Sequence, residues 1–132
     1  MRVCDLMVGD FVLHDGKVIR VDAVHKRKIG YHKTKDKLTW LFSGQFDPIF
    51  LTPSILKKNG FKDLCYNHHN EYIGIDDRVV LSNYKEDIIT NNEWHVQVDS
   101  EDIHTIAICE ITYVHELQRI LRLCKIEKEI IV

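Results

Sequence analysis

Between residues 25 and 40 the chain reads HKRKIGYHKTKDKLTW. Six of these residues are Lys or Arg (Lys26, Arg27, Lys28, Lys33, Lys35 and Lys37), and only Asp36 is acidic. His25, Tyr31, His32 and Trp40 are interleaved with them, and Gly30 stands near the centre. Cations hold phosphate, aromatic faces stack on bases, and a glycine lets backbone N–H groups approach an anion. That is the chemistry of nucleotide or nucleic-acid contact. It is also the composition of a solvated loop between strands, where lysines gather for solubility. Lys26, Arg27, Lys28, Tyr31, His32, Lys33 and Trp40 are the first candidates for ligand contact.

A second cluster, CYNHHNEY over residues 65–72, sets Cys65, His68, His69 and Glu71 close together. Three such side chains could hold zinc, but the spacing matches no zinc-ligand pattern, and adjacent histidines in an extended segment point in opposite directions. The stretch reads as a polar loop, with His68 and His69 as its candidate ligand or partner contacts and no metal or cofactor expected. The stretch YVHELQRILRLC opens like a zinc-protease helix, with His115 and Glu116 in place of the first two letters of H-E-x-x-H. Position i+4 is Arg119, a permanent cation that cannot ligate a metal. The acids Asp76, Asp77, Glu86 and Asp87 come in adjacent pairs, and a hydrolase would need two carboxylates converging from different strands. No G-x-S-x-G elbow, P-loop or G-x-G-x-x-G fingerprint occurs in the chain. Trp94 and His95 open a strand candidate, where a tryptophan belongs to the core.

Composition sets the frame. The 132 residues suggest one domain, 1–132, and the 45% apolar and 29% charged content are ordinary for a soluble globular protein. No apolar run reaches the length of a membrane span, and the start MRVCDLMVGD lacks the apolar core of a signal peptide. Cys4, Cys65, Cys109 and Cys124 form no C-x-x-C pair, which suits reduced thiols in a cytoplasm. The net charge of −2 hides an asymmetry, since residues 1–62 carry 12 Lys/Arg against 6 Asp/Glu. This suggests a positive surface for an anionic ligand beside an acidic one that limits non-specific nucleic-acid binding.

The elements that must position these residues are mostly short strands. DFVLH and KVIRVDAVH flank Asp15-Gly16, a two-residue signal for a type I′ hairpin turn. KLTWLF (37–42) and FDPIFL (46–51) read as two more strands around Ser43-Gly44, with Pro48 making the latter an edge or irregular one. TPSILKKNGF encodes a helix over 52–60, with Thr52 as N-cap, Pro53 at the first position and Gly60 as terminator. EYIGI and RVVLSNY are strand candidates, EWHVQVD and HTIAICEI a hairpin, and IEKEIIV a final strand. Over 113–124, Val114, Leu117, Leu121 and Cys124 recur at helical spacing, with Ile120 and Leu123 widening the stripe and Thr112 as cap. The sum is an α+β fold: a bent antiparallel sheet or small barrel of about seven strands with two helices, 52–60 and 113–124.

In combination, LMVGDFV, DGKVIRV, PIFLTPSILKKNGF and YVHELQRILRLCKIEKEI resemble a family of small uncharacterised proteins of gut Bacteroidetes, their prophages and their phages. The resemblance covers about half of the chain and carries no catalytic residues. It implies a phage or mobile-element setting in the cytoplasm of a bacterial host, where small proteins act by blocking a host factor or soaking up an immune signal. The expectation is a non-catalytic binder of an anionic, nucleotide-like small molecule, held by the 25–40 segment. The alternatives are a protein–protein inhibitor that meets a host defence protein, a nucleic-acid accessory module, and a small phosphodiesterase using His68, His69 and nearby acids. A homo-oligomer is expected, formed through the apolar terminal strand, with no membrane partner.

Overall fold

The structure, a computed structural model, describes residues 3–64, 69–84, 93–102 and 104–132, with the side chains of Cys4, His69, Asn70 and Tyr84 outside the description. The chain divides into two compact units, Met1–Ile49 and Phe50–Val132.

The first unit begins with a 3-10 turn, Val3–Asp5, and continues as β1 (Phe11–His14) and β2 (Lys17–Arg20). Asp15 and Gly16 sit at φ 50° and 73°, the left-handed pair that a type I′ turn requires. A three-stranded antiparallel sheet follows, in the order β3 (Ala23–His25), β4 (Lys28–Thr34) and β5 (Lys37–Phe42). KVIRVDAVH is thus two strands rather than one. The break falls at Val21-Asp22, where the Val21 side chain is fully buried and the Asp22 carboxylate leaves the strand to accept hydrogen bonds from His32. The segment 25–40 is likewise no loop: it is the end of β3, all of β4 and most of β5, joined by tight turns. Val3, Leu6, Val12, Val21, Ile29, Leu41 and Phe46 form the core, and Ile19 and Tyr31 pack against it. FDPIFL forms no strand: Asp47 makes an isolated bridge with Leu13, and Phe50 another with Tyr113. Pro48, which has no N–H to donate, interrupts any ladder between them.

The second unit opens on α1 (Pro53–Lys58), built as its sequence indicates. Thr52 Oγ1 accepts from Ile55 N–H, Gly60 takes φ 83°, and Phe61 N–H donates back to Leu56 O. A five-stranded antiparallel sheet follows in the order β10 (Thr105–Ile111), β9 (Trp94–Asp99), β8 (Val79–Tyr84), β7 (His69–Gly74) and β6 (Lys62–Asp63). Its register aligns Tyr72 with Leu81, Leu81 with Val96, and Val79 with Val98, and these residues are buried. Gly74 of β7 is bare for a reason: a Cβ there would lie 2.7 Å from the Phe61 ring. The Trp94 indole is buried and donates to Leu51 O at 3.0 Å.

The second helix, α2 (Val114–Leu123), buries Val114, Leu117 and Leu121 as expected. Its start corrects the sequence reading. Tyr113, not Thr112, is the N-cap residue, and Glu116 Oε1 accepts from the backbone N–H groups of both Thr112 and Tyr113. The carboxylate that resembled a zinc-protease base is therefore a helix cap. The stripe also differs, because Leu123 is 76% exposed while the polar Gln118 is buried.

The terminal IEKEIIV forms no strand. Side chains of the same unit take several of its backbone polar groups. Gln118 donates to Lys128 O and accepts from Ile130 N–H, and Asn59 donates to Ile131 O and accepts from Ile131 N–H. Ile126 and Ile130 are buried.

The α+β class stands, with two helices and antiparallel sheets throughout. The strands form three separate sheets of two, five and three members, and among the described residues they close no barrel. No described helix is long and apolar enough to cross a membrane.

Candidate functional site

The first unit carries a cleft of about 550 Å³, within the usual size range of small-ligand sites. The β1–β2 hairpin contributes His14, Asp15, Lys17, Val18, Ile19 and Arg20, β4 contributes Tyr31, His32 and Lys33, and Asp22 comes from the β2–β3 break. The bonds from Asp22 to His32 and the contact of β2 with β4 bring these separate stretches together. The lining holds three cations, Lys17, Arg20 and Lys33, two carboxylates, Asp15 and Asp22, and the apolar Val18 and Ile19.

Both histidines are oriented. His14 Nδ1 donates to Gln45 O at 2.7 Å, and the ring lies 5.9 Å from that of Tyr31. The His32 Nδ1 atom lies 2.8 Å from Asp22 Oδ2, which also accepts from the His32 N–H at 2.9 Å. Partial burial pushes the Asp22 carboxyl up. The hydrogen bonds from the His32 ring and backbone, with the charges of His32 and Arg20, outweigh it and hold the carboxyl below its ordinary value.

That shift has a sign. Stability from an ionised Asp22 is complete above the ordinary carboxylate range and is lost as pH falls through the lowered folded-state value. The wild-type protein should lose melting temperature more steeply than Asp22→Asn between about pH 4 and pH 2. Parallel acid limbs in thermal melts of the two proteins would remove Asp22 from this account.

The structure divides the residues singled out in the sequence. Tyr31, His32 and Lys33 line the cleft. Lys26, Arg27 and Lys28 line a smaller hollow of about 230 Å³ with His25 and Phe42. Trp40 belongs with this second group, since Lys28 Nζ lies 4.7 Å above its ring and His25 meets it edge-on at 6.4 Å. Strand alternation separates Tyr31 from Trp40, which pairs with Gly30 on the other face, while His32, beside a register shift, is held to the cleft by Asp22. His68 and the side chain of His69 lie outside the described residues, as do Cys65, Glu86 and Asp87.

Sequence reasoning passed over His14, Lys17, Arg20 and Asp22. The one available signal was that they flank or follow the Asp15-Gly16 turn, which brings the two strands bearing His14 and Lys17 into register. Asp76 and Asp77 are exposed turn residues with positive φ. Among the described residues no group of His, Cys, Asp and Glu has the arrangement of a metal site. Burial, with Cys124 and Glu116 nearby, pushes the Cys109 thiol up, away from a reactive thiolate.

Comparison with protein-family models, curated proteins and solved structures finds no match.

Proposed function

We propose that the protein is a non-catalytic binder whose cleft holds an anionic, nucleotide-derived small molecule. The observation that carries this reading is the meeting of Lys17, Arg20 and Lys33 with His14, His32 and Tyr31 around one concavity. The lining cations suit phosphate, the Tyr31 ring offers a face or edge to a base, and Val18 and Ile19 add the apolar surface that ligand sites favour. The two histidines are each held at Nδ1 by a fixed partner, Gln45 O or Asp22, which sets the direction in which the remaining ring nitrogen meets a ligand. In the phage setting that the sequence resemblance implies, such a protein sequesters a host immune signal in the bacterial cytoplasm.

The test is to purify the protein from cells with active nucleotide signalling, release bound material by heat, and identify it by mass spectrometry. Titration calorimetry with cyclic dinucleotides then measures affinity. Arg20→Glu should weaken binding about 100-fold, because a hydrogen bond to a charged group is worth about 1.5–3 kcal/mol. Tyr31→Ala should cost about 10–100-fold, the value of one stacked base. No released nucleotide, together with flat titrations, would refute the reading. A turnover product would make the protein an enzyme instead.

A further inference from the structure

The second hollow does not share a single lining residue with the cleft, and its chemistry differs. β5 turns two large rings outward on the same side, Trp40 at 38% exposure and Phe42 at 57%. The core lies on the other side of this strand and is served by Leu41, which is 5% exposed, with Ile29 of β4 fully buried beside it. The two exposed rings therefore give the core little. They lie two residues apart on one strand, so each presents its own surface about 7 Å from the next. Lys26 and Arg27 of the β3–β4 turn and Lys28 at the start of β4 border them, and the Lys28 ammonium stands over the Trp40 ring.

We propose that Trp40 and Phe42, with Lys26, Arg27 and Lys28, form a second site, for a single-stranded nucleic-acid segment. Bases stack on the two rings and the turn cations meet the flanking phosphates. Exposed aromatic faces bordered by cations are what sequence-tolerant single-strand binding uses. Lys28 exchanges its ring contact for a phosphate as a base takes its place over Trp40. Duplex does not fit, because paired bases hide their faces and three cations on a protein of net charge −2 give too little phosphate contact. This inference is independent of the cleft reading.

The chain has two tryptophans, and Trp94 is buried at 2% exposure, so a ligand on this face acts on Trp40 alone. Titration with a 12-nucleotide oligothymidylate should quench the exposed component of tryptophan emission. The logarithm of the binding constant should fall with that of salt at a slope near −2, about −0.7 for each of three phosphates met. In anisotropy with a labelled oligonucleotide, Trp40→Leu keeps an apolar side chain at this strand position and should lose about 10–100-fold in affinity. Lys26→Glu/Arg27→Glu should lose at least as much, and Arg20→Glu, in the cleft, should lose little. Three results would each overturn the proposal. One is no quenching at low salt, including the case where an acidic peptide binds this face instead. Another is equal binding of a duplex of the same length. The third is oligonucleotide binding abolished by Arg20→Glu but kept by Trp40→Leu.

Discussion

Leu117→Asp unfolds the C-terminal unit. Leu117 is fully buried in the middle of α2, flanked at helical spacing by Val114 and Leu121, which are also buried. An aspartate there is either ionised and stripped of water or protonated at a cost, and both routes take several kcal/mol. A domain of this size has only about 5–15 kcal/mol of stability to lose. The expected result is an insoluble protein, or one without a cooperative melt and with Trp94 emission shifted to that of a wet indole. The matched control is Leu123→Asp in the same helix. Leu123 is 76% exposed, so that change should stay within about 0.5 kcal/mol of wild type. A folded, cooperatively melting Leu117→Asp protein would show that the burial assigned to this helix is wrong.

Gln118→Ala should cost about 2–4 kcal/mol in urea denaturation, from stranded main-chain polar groups and lost volume together. The Gln118 amide is a two-way bridge, with Nε2 donating to Lys128 O at 2.8 Å and Oε1 accepting from Ile130 N–H at 2.7 Å. Without it the buried Ile130 donor has lost the acceptor that replaced water, and such an orphan carries its full desolvation cost. Gln118→Met separates the two contributions. It keeps most of the volume and should still lose about 1–3 kcal/mol, because a thioether is a poor acceptor for an amide N–H. If Gln118→Met matches wild type within about 0.5 kcal/mol, the bridge contributes nothing and the terminal segment is held by Ile126 and Ile130 alone.

These two predictions concern adjacent residues of one helix, and the sequence treated them very differently. Leu117 lay in the apolar stripe and its burial was legible from spacing. Gln118 looked like a solvent residue, because nothing within a few positions reveals that a strandless terminal segment needs a donor and an acceptor at that point. The same division runs through the molecule. The Asp15-Gly16 hairpin, the α1 caps from Thr52 to Gly60, and the exclusion of a zinc helix by Arg119 could all be read directly. Each depends on the backbone conformations or side-chain reach of residues no more than about eight apart.

What only the tertiary structure decided is who meets whom. The basic segment 25–40 read as one site, yet strand alternation sends Tyr31 to one side of its sheet and Trp40 to the other, into two separate groups. His14, Lys17 and Arg20 join Tyr31, His32 and Lys33 although ten residues separate the nearest members of the two sets, Arg20 and Tyr31. Asp22, which read as one more alternating strand residue, instead breaks its strand to hold His32. Turn and cap signals are local free energies, written in the side chains that make them. Convergence on a cleft depends on strand register and on which backbone groups are already satisfied, and those are settled by burial across the whole unit.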